Sequence, residues 1–434
     1  MCAFGPGSAL LLPGSALLLP GSALLLPGSA RAAEAPAVKD VLATYSDIAE
    51  AVYGDSLTAA RALRAAIDTL VKTPSADSLA AARQAWIAAR VPYMQTEAFR
   101  FGNPIVDAWE GRVNSWPLDE GLIDYVAEAY GGDNPENEYY AANVIANPTL
   151  KVAGQTVDAS KITESLIRDT LQEAGGVEAN VASGYHAIEF LLWGQDLNGT
   201  EPGAGDRPAT DYDIKACTGG HCDRRIAYLT TVTDLLVEDL DGMTKQWGKD
   251  GEARGFILKG ETAGLTAIFT GLGSLSYGEL AGERMKLGLM IHDPEEEHDC
   301  FSDNTHNTHY GDALGIRNVY LGSYTRTDGS VVSGPSVSDL VKAKSPETDE
   351  HVRAALDLTM GKMTALVARA NTVEHYDQMI GLGNAEGNAV VQVTIDALIA
   401  QAKEIERAIA VLNLKGIKFE GSDSLDAPDK VGGQ

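Results

Sequence analysis

The sequence predicts an all-α protein built as two antiparallel helical bundles. Three observations carry this. Apolar residues recur at spacings of three and four through nearly every long segment, the period of one helix face. Period-two alternation, the mark of a half-buried strand, is nearly absent. A loop rich in Gly, Pro and Asp, residues 194–222, divides one helical series from a second. With 434 residues the chain can fill two or three cores, and 44% hydrophobic against 22% charged residues excludes wholesale disorder.

In chain order, residues 1–32 read as a secretory signal rather than as fold. The unit Gly-Ser-Ala-Leu-Leu-Leu-Pro starts at Gly7, Gly14 and Gly21, and a further copy begins at Gly28. Ala30-Arg31-Ala32 supplies a small-x-small cleavage pattern, although no Lys or Arg precedes the apolar run, which leaves the true start open. The recurring prolines break that run below the ~20 apolar residues a spanning helix needs. No later segment is apolar enough to span.

The first bundle is placed at 37–215. Val38, Val41, Tyr45, Ile48 and Val52 form one row, and Leu57, Ala60, Leu63, Ile67 and Leu70 another. A third helix is predicted over 77–101, kinked or turned at Pro92. After a Gly/Asn/Pro-rich stretch, helices are predicted at 163–173 and 177–193. The second bundle, 222–418, takes helices at 226–247, 262–291, 346–370 and 388–412, followed by a polar, flexible tail at 419–434. Two faint echoes, Glu97–Phe101 against Glu297–Phe301 and Phe190–Gly194 against Asp377–Gly381, suggest a pseudo-repeat with a site at the junction. Cys217 and Cys222 flank Thr-Gly-Gly-His in a short loop, which in an oxidising compartment reads as a local disulfide and leaves Cys300 unpaired.

Charge narrows the partners. A net charge of −27 argues against nucleic acid, whose phosphates require Lys and Arg, and against anionic membrane surfaces. It leaves cationic partners open.

Three constellations could carry chemistry. In Gly184-Tyr185-His186-Ala187-Ile188-Glu189 the helix is apolar all round except for His186 and Glu189, so it is predicted to be buried. Residues three apart share a face, and a buried carboxylate must find a partner, so the two groups point together at each other, an Arg or a metal, with Trp193 a turn further on. A His–Glu hydrogen bond tying two helices together is the plain alternative. Next, Trp86, Arg90, Tyr93, Glu97 and Arg100 follow 4–3–4–3 spacing on one predicted stripe, a core-facing polar network in which carboxylate–guanidinium pairing or an oxygen ligand at Glu97 is open. Finally, His292, His298, His306 and His309 are interleaved with Asp293, Glu295, Glu296, Glu297, Asp299 and Asp303, a mixture suited to Fe, Zn, Mn or Ni unless it is a solvated acidic turn. The His-Glu-x-x-His and His-x-x-Glu-His protease templates both fail at Phe190. No phosphate loop or nucleophile elbow is present.

Gly184-x-His186-x-x-Glu189 resembles the signature of the imelysin family, also called the insulin-cleaving membrane protease family. Thr96-Glu97-Ala98-Phe99-Arg100 resembles its other recurrent segment, and the stretch from Glu295 to Thr305 resembles the iron-regulated protein A branch. The likeness runs over roughly 38–414. It implies a periplasmic protein with a shared inter-domain site and a role in iron uptake or iron-limited growth. On that reading His186, Glu189, Glu97, Glu297 and His298 hold a metal, with iron first and zinc as the alternative. Arg90, Tyr93, Arg100, Asp303 and Trp193 surround it, and an outer-membrane or periplasmic iron-uptake component is the implied partner. A metal binder rather than an enzyme is favoured, because no general base stands in the expected register. A zinc peptidase and a metal-free polysaccharide binder remain the alternatives.

Overall fold

The computed structural model describes residues 35–431 apart from 133 and 153, so the expected signal segment lies outside the described residues. Helix α1, Val38–Lys72, merges the two apolar rows into one element of 35 residues and buries Tyr45, Ile48, Leu63, Ile67 and Leu70 along one face. The glycine between the rows, Gly54, stands in open space and does not break it. Helix α2, Ala76–Met94, starts at a capping box in which the Ser75 side chain accepts from the Ser78 N–H. It ends two residues after Pro92, whose ring nitrogen cannot donate to the preceding turn. The expected kink is therefore a termination, and a separate 3-10 turn, Glu97–Phe99, follows.

Helix α3 is Gly184–Trp193 and α4 is Cys222–Trp247. Both α2 and α4 pack along α1, while α3 lies against α2 and α4. Helices α1 to α4 thus pack together across the Cys217 loop. Further along, α5, Glu261–Ser274, runs directly into a π-helix, Leu275–Leu287. Then come α6, Thr305–Leu321; α7, Pro346–Thr372; α8, Tyr376–Ile380; and α9, Ala385–Val411. Helix α7 packs on α6 and α9, and α9 packs on the π-helix.

Helix α6 packs on α2 as well. Its approach depends on two glycines. A Cβ at Gly315 would lie 2.6 Å from the Gln95 carbonyl oxygen, and one at Gly311 would lie 2.7 Å from Met94 Cβ. Two antiparallel hairpins complete the fold, Thr149–Val152 with Gln155–Asp158 and Ser323–Thr325 with Val331–Ser333, each too short to show alternation in sequence.

The polar tail expected to be flexible after Lys418 docks instead on the π-helix, where the Ser424 hydroxyl donates to the Gly282 carbonyl at 2.9 Å. Cys217 and Cys222 are joined, with Cα atoms 5.9 Å apart, and Cys300 is free. Among the described residues no helix is long and apolar enough to cross a membrane.

A candidate metal centre between α2, α3 and the segment before α6

Every residue of α3 is buried. Its entry is fixed by Gly184, which has φ +82° and whose added Cβ would fall 2.4 Å from the Val113 carbonyl oxygen. Its exit carbonyls are all claimed: Phe190 by the Gly194 N–H at 2.7 Å, Leu192 by Arg83 Nε at 3.1 Å and Trp193 by the Arg207 N–H at 2.7 Å, while the Tyr212 hydroxyl donates to Leu191. A helix held this firmly at both ends sets His186 and Glu189 in fixed directions. Gly184→Ala is expected to lose about 1–2 kcal/mol from the left-handed backbone alone and more from the clash. Urea denaturation would read this as a lower midpoint.

His186 Nδ1 lies 3.0 Å from Glu189 Oε2, as the i, i+3 spacing predicts. Glu189 Oε1 accepts both the Ser302 N–H at 3.0 Å and the Ser302 hydroxyl at 2.6 Å. The opposite ring nitrogen, His186 Nε2, is buried and has no partner among the described residues. The His186 ring stands edge-to-face with that of His298, their centroids 4.7 Å apart. One donor atom each of His186, His298 and Asp299 lie within 4.8 Å of one another.

Arg90 closes this group from α2. Its Nη2 donates to Asp299 Oδ1 at 2.7 Å and lies 3.2 Å from His298 Nδ1, and its Nη1 donates to Asn114 Oδ1 at 2.6 Å. A guanidinium only donates, so His298 Nδ1 accepts. Trp86, Tyr93 and Tyr185 box the guanidinium, with ring centroids 5.0–5.6 Å from its carbon. Trp116, edge-on to His298 at 5.7 Å, also lines a surface cavity of about 300 Å³ whose walls include Glu120 and Glu295.

Burial decides the charges here. It pushes His186 down to about 3, with Arg90 adding to the effect, and pushes His298 well below the ordinary imidazole range. Burial, then the Asp299 charge, pushes Glu189 well up. Burial also acts upward on Asp299, but Arg90 outweighs it and holds that carboxyl below its usual value. Both imidazoles are therefore neutral near pH 7 and Asp299 is ionised, the protonation states a metal requires.

The linked pH effect has a definite sign. Histidines neutral in the fold take up protons only on unfolding, so their share of stability is full above about 6.5 and is lost as pH falls toward about 3. His309, also pushed to about 3 by burial, contributes the same way. Replacing His309 by Gln should flatten the fall in unfolding free energy between pH 6.5 and 4, measured by urea titration at each pH.

The structure does not bring all the sequence candidates together. Glu97 belongs to another network: its Oε2 pairs with Arg284 at 2.8 Å, and Arg284 also holds Glu279 at 2.7 Å and Asp312 at 3.1 Å. Arg100 joins that network through Glu110 at 3.5 Å and Glu279 at 3.5 Å. Glu297 and Asp303 lie near Asp377. Trp193 packs on Trp86 at 5.4 Å. Neither Glu97 nor Glu297 joins His186, His298 and Asp299 in the close donor group. The acidic stretch after His292 is no solvated turn where it matters, since Glu297, His298, Asp299 and His309 are all buried. Sequence reasoning missed Asn114, Trp116, Ser302 and Arg284; single polar or aromatic residues in loops or on a π-helix carry no spacing signal.

Comparison with known proteins identifies the family. The Imelysin family model matches residues 49–405. The chain is 23% identical over 363 residues to iron-regulated protein A of Synechococcus elongatus, covering 81% of this chain and 79% of that protein. Its fold is similar to the crystal structure of a protein described as an iron-regulated protein A precursor from Parabacteroides distasonis, with a TM-score of 0.60, 20% identity, and 87% and 96% of the two chains covered. An imelysin-like protein from Psychrobacter arcticum follows at a TM-score of 0.53, 14% identity, and 88% and 98% coverage. Over most of its length, then, this chain belongs to the imelysin family.

Proposed function

We propose that this protein is an extracytoplasmic iron-binding protein that takes the metal at His186, His298 and Asp299, with Glu189 orienting His186. One observation carries the reading: a buried imidazole is held by a carboxylate at Nδ1, leaves Nε2 unpaired, and faces a second imidazole and a carboxylate. A ligating histidine commonly donates its other N–H to a carboxylate, which fixes tautomer and orientation. Two nitrogens and one oxygen suit iron, and zinc as the alternative. The name of the Synechococcus relative supports iron. The joined Cys217 and Cys222 and the signal-like repeats support export to an oxidising compartment, where an iron-uptake component is the natural partner.

Peptidase chemistry is disfavoured because Glu189, the carboxyl beside His186, is engaged by Ser302 and His186. Calorimetric titration with ferrous iron, ferric iron and zinc, beside a peptide-hydrolysis assay, tests both points. Tight binding without hydrolysis supports the proposal. Metal-dependent hydrolysis lost in His186→Ala would favour the peptidase, and no binding of any metal would leave His186–Glu189 as a structural tie.

A further inference from the structure

Another unsatisfied group lies where α3 runs out into the loop that follows it. The Arg207 backbone is fixed there, its N–H donating to the Trp193 carbonyl at 2.7 Å and its carbonyl accepting from Arg83 Nη2 at 3.0 Å. The residue is only 2% exposed. The rings of Tyr125 and Phe190 pack on the guanidinium, their centroids 4.9 and 5.4 Å from its carbon. One nitrogen, Nη1, donates to Asp124 Oδ2 at 2.7 Å and to Asp211 Oδ2 at 3.1 Å. The other two, Nε and Nη2, are buried and have no partner among the described residues.

Those two nitrogens form one edge of the guanidinium plane, the edge that grips a planar carboxylate through two parallel hydrogen bonds. The neighbouring Arg225 shows the pairing completed: its Nε and Nη2 donate to Asp124 Oδ2 and Oδ1 at 2.6 and 2.9 Å. Among the described residues Arg207 has no carboxylate on the corresponding edge. Gly194 stands beside Nε, where an added Cβ would lie 3.7 Å away. Both residues line a cavity of about 310 Å³ with Tyr125, Trp193 and Leu197, at the small end of ligand cavities. The carboxylate on its walls, Asp206, is exposed and so screened by solvent.

A buried donor pair is costly to leave unmade, and a ligand carboxylate would supply both acceptors. We propose that this cavity binds a small aromatic carboxylate, its oxygens taken by Nε and Nη2 of Arg207 and its ring set against Tyr125, Trp193 and Leu197. The free edge selects the planar anion, and the aromatic and apolar walls select the ring. Arg207 is pre-organised for this role, because its backbone and its Nη1 are held before any ligand arrives and little order remains to be lost on binding. None of these residues belongs to the donor group of His186, His298 and Asp299, so the cavity and the metal centre are testable apart.

The test uses the full chain with benzoate as probe and a chelator present, so that no metal holds the carboxylate. Tryptophan fluorescence and ligand-detected NMR read the binding. Benzoate should bind saturably, and benzyl alcohol, which has the ring without the planar anion, at least about tenfold more weakly. Arg207→Lys should lose at least about tenfold in benzoate affinity, because an ammonium lacks the two-pronged edge. It keeps a positive charge beside Asp124 and Asp211, and circular dichroism checks that the fold persists. Leu197→Asp changes a lining side chain that is 70% exposed, so it should fold normally and weaken benzoate at least about threefold through like-charge repulsion. The proposal is overturned if benzoate does not bind the wild type, or if benzyl alcohol binds equally well. It is also overturned if a folded Arg207→Lys, or Leu197→Asp where Arg207→Lys does not fold, keeps wild-type affinity.

Discussion

His186→Ala is expected to lower the affinity for iron and zinc by more than ~100-fold while the fold survives. Removing only a supporting partner of a metal ligand costs about 10–100-fold, and that range is the expectation for Glu189→Gln. Removing His186 takes away a donor from a set of three. Among the described residues neither neighbour can replace it, because Glu189 is fixed by Ser302 and Arg90 is a cation. The fold should persist because α3 is anchored through its backbone ends and its apolar surface rather than through this ring. The check is isothermal titration of both variants, with circular dichroism to confirm helix content. An affinity unchanged by His186→Ala would remove the site from consideration.

Arg90→Gln should have the largest effect on stability of any change at the centre, and the opposite sign for metal. The Arg90–Asp299 pair is almost fully buried. Truncating one member of a buried pair costs about 3–5 kcal/mol, because the other charge is left without compensation. In the metal-free variant Asp299 is that uncompensated charge, with Asn304 at 2.8 Å and the Thr308 hydroxyl as its remaining donors. A cation bound beside Asp299 would restore the missing positive charge, with no guanidinium left beside His298 to repel it. The variant should therefore melt well below wild type without metal and recover more on adding zinc than wild type gains. Differential scanning fluorimetry with and without zinc reads both. A destabilised variant that zinc does not rescue would argue that Asp299 serves only as a counter-ion.

What was legible in sequence depended on whether the signal was local. Helix α3 was visible because His186 and Glu189 stand out on an otherwise apolar helix, and their shared face follows from spacing alone. Arg90 stood out because it shares a face with Trp86 and Tyr93. The same reasoning misplaced Glu97, since it carried one helical stripe past Met94, where α2 stops; the 3-10 turn that follows sends Glu97 to Arg284 instead. Helix α6 gave no apolar stripe because its buried face is built from Thr305, His306, Thr308, His309 and Asp312 as much as from Ala313 and Ile316. Asp299 could be noted only as one carboxylate among many. Its partner Arg90 is 209 positions away, beyond the reach of any pattern along the chain.

That distance matters for kinetics. The contacts that define the centre join residues 113 positions apart at Ser302–Glu189 and 208 apart at Arg90–His298. Each such closure restricts a long stretch of otherwise free chain, and contacts of this range form late on folding routes. On the proposed reading, the three donors come together only once the segment before α6 has docked on α2 and α3. Full occupancy of the centre is then expected to follow completed folding rather than precede it.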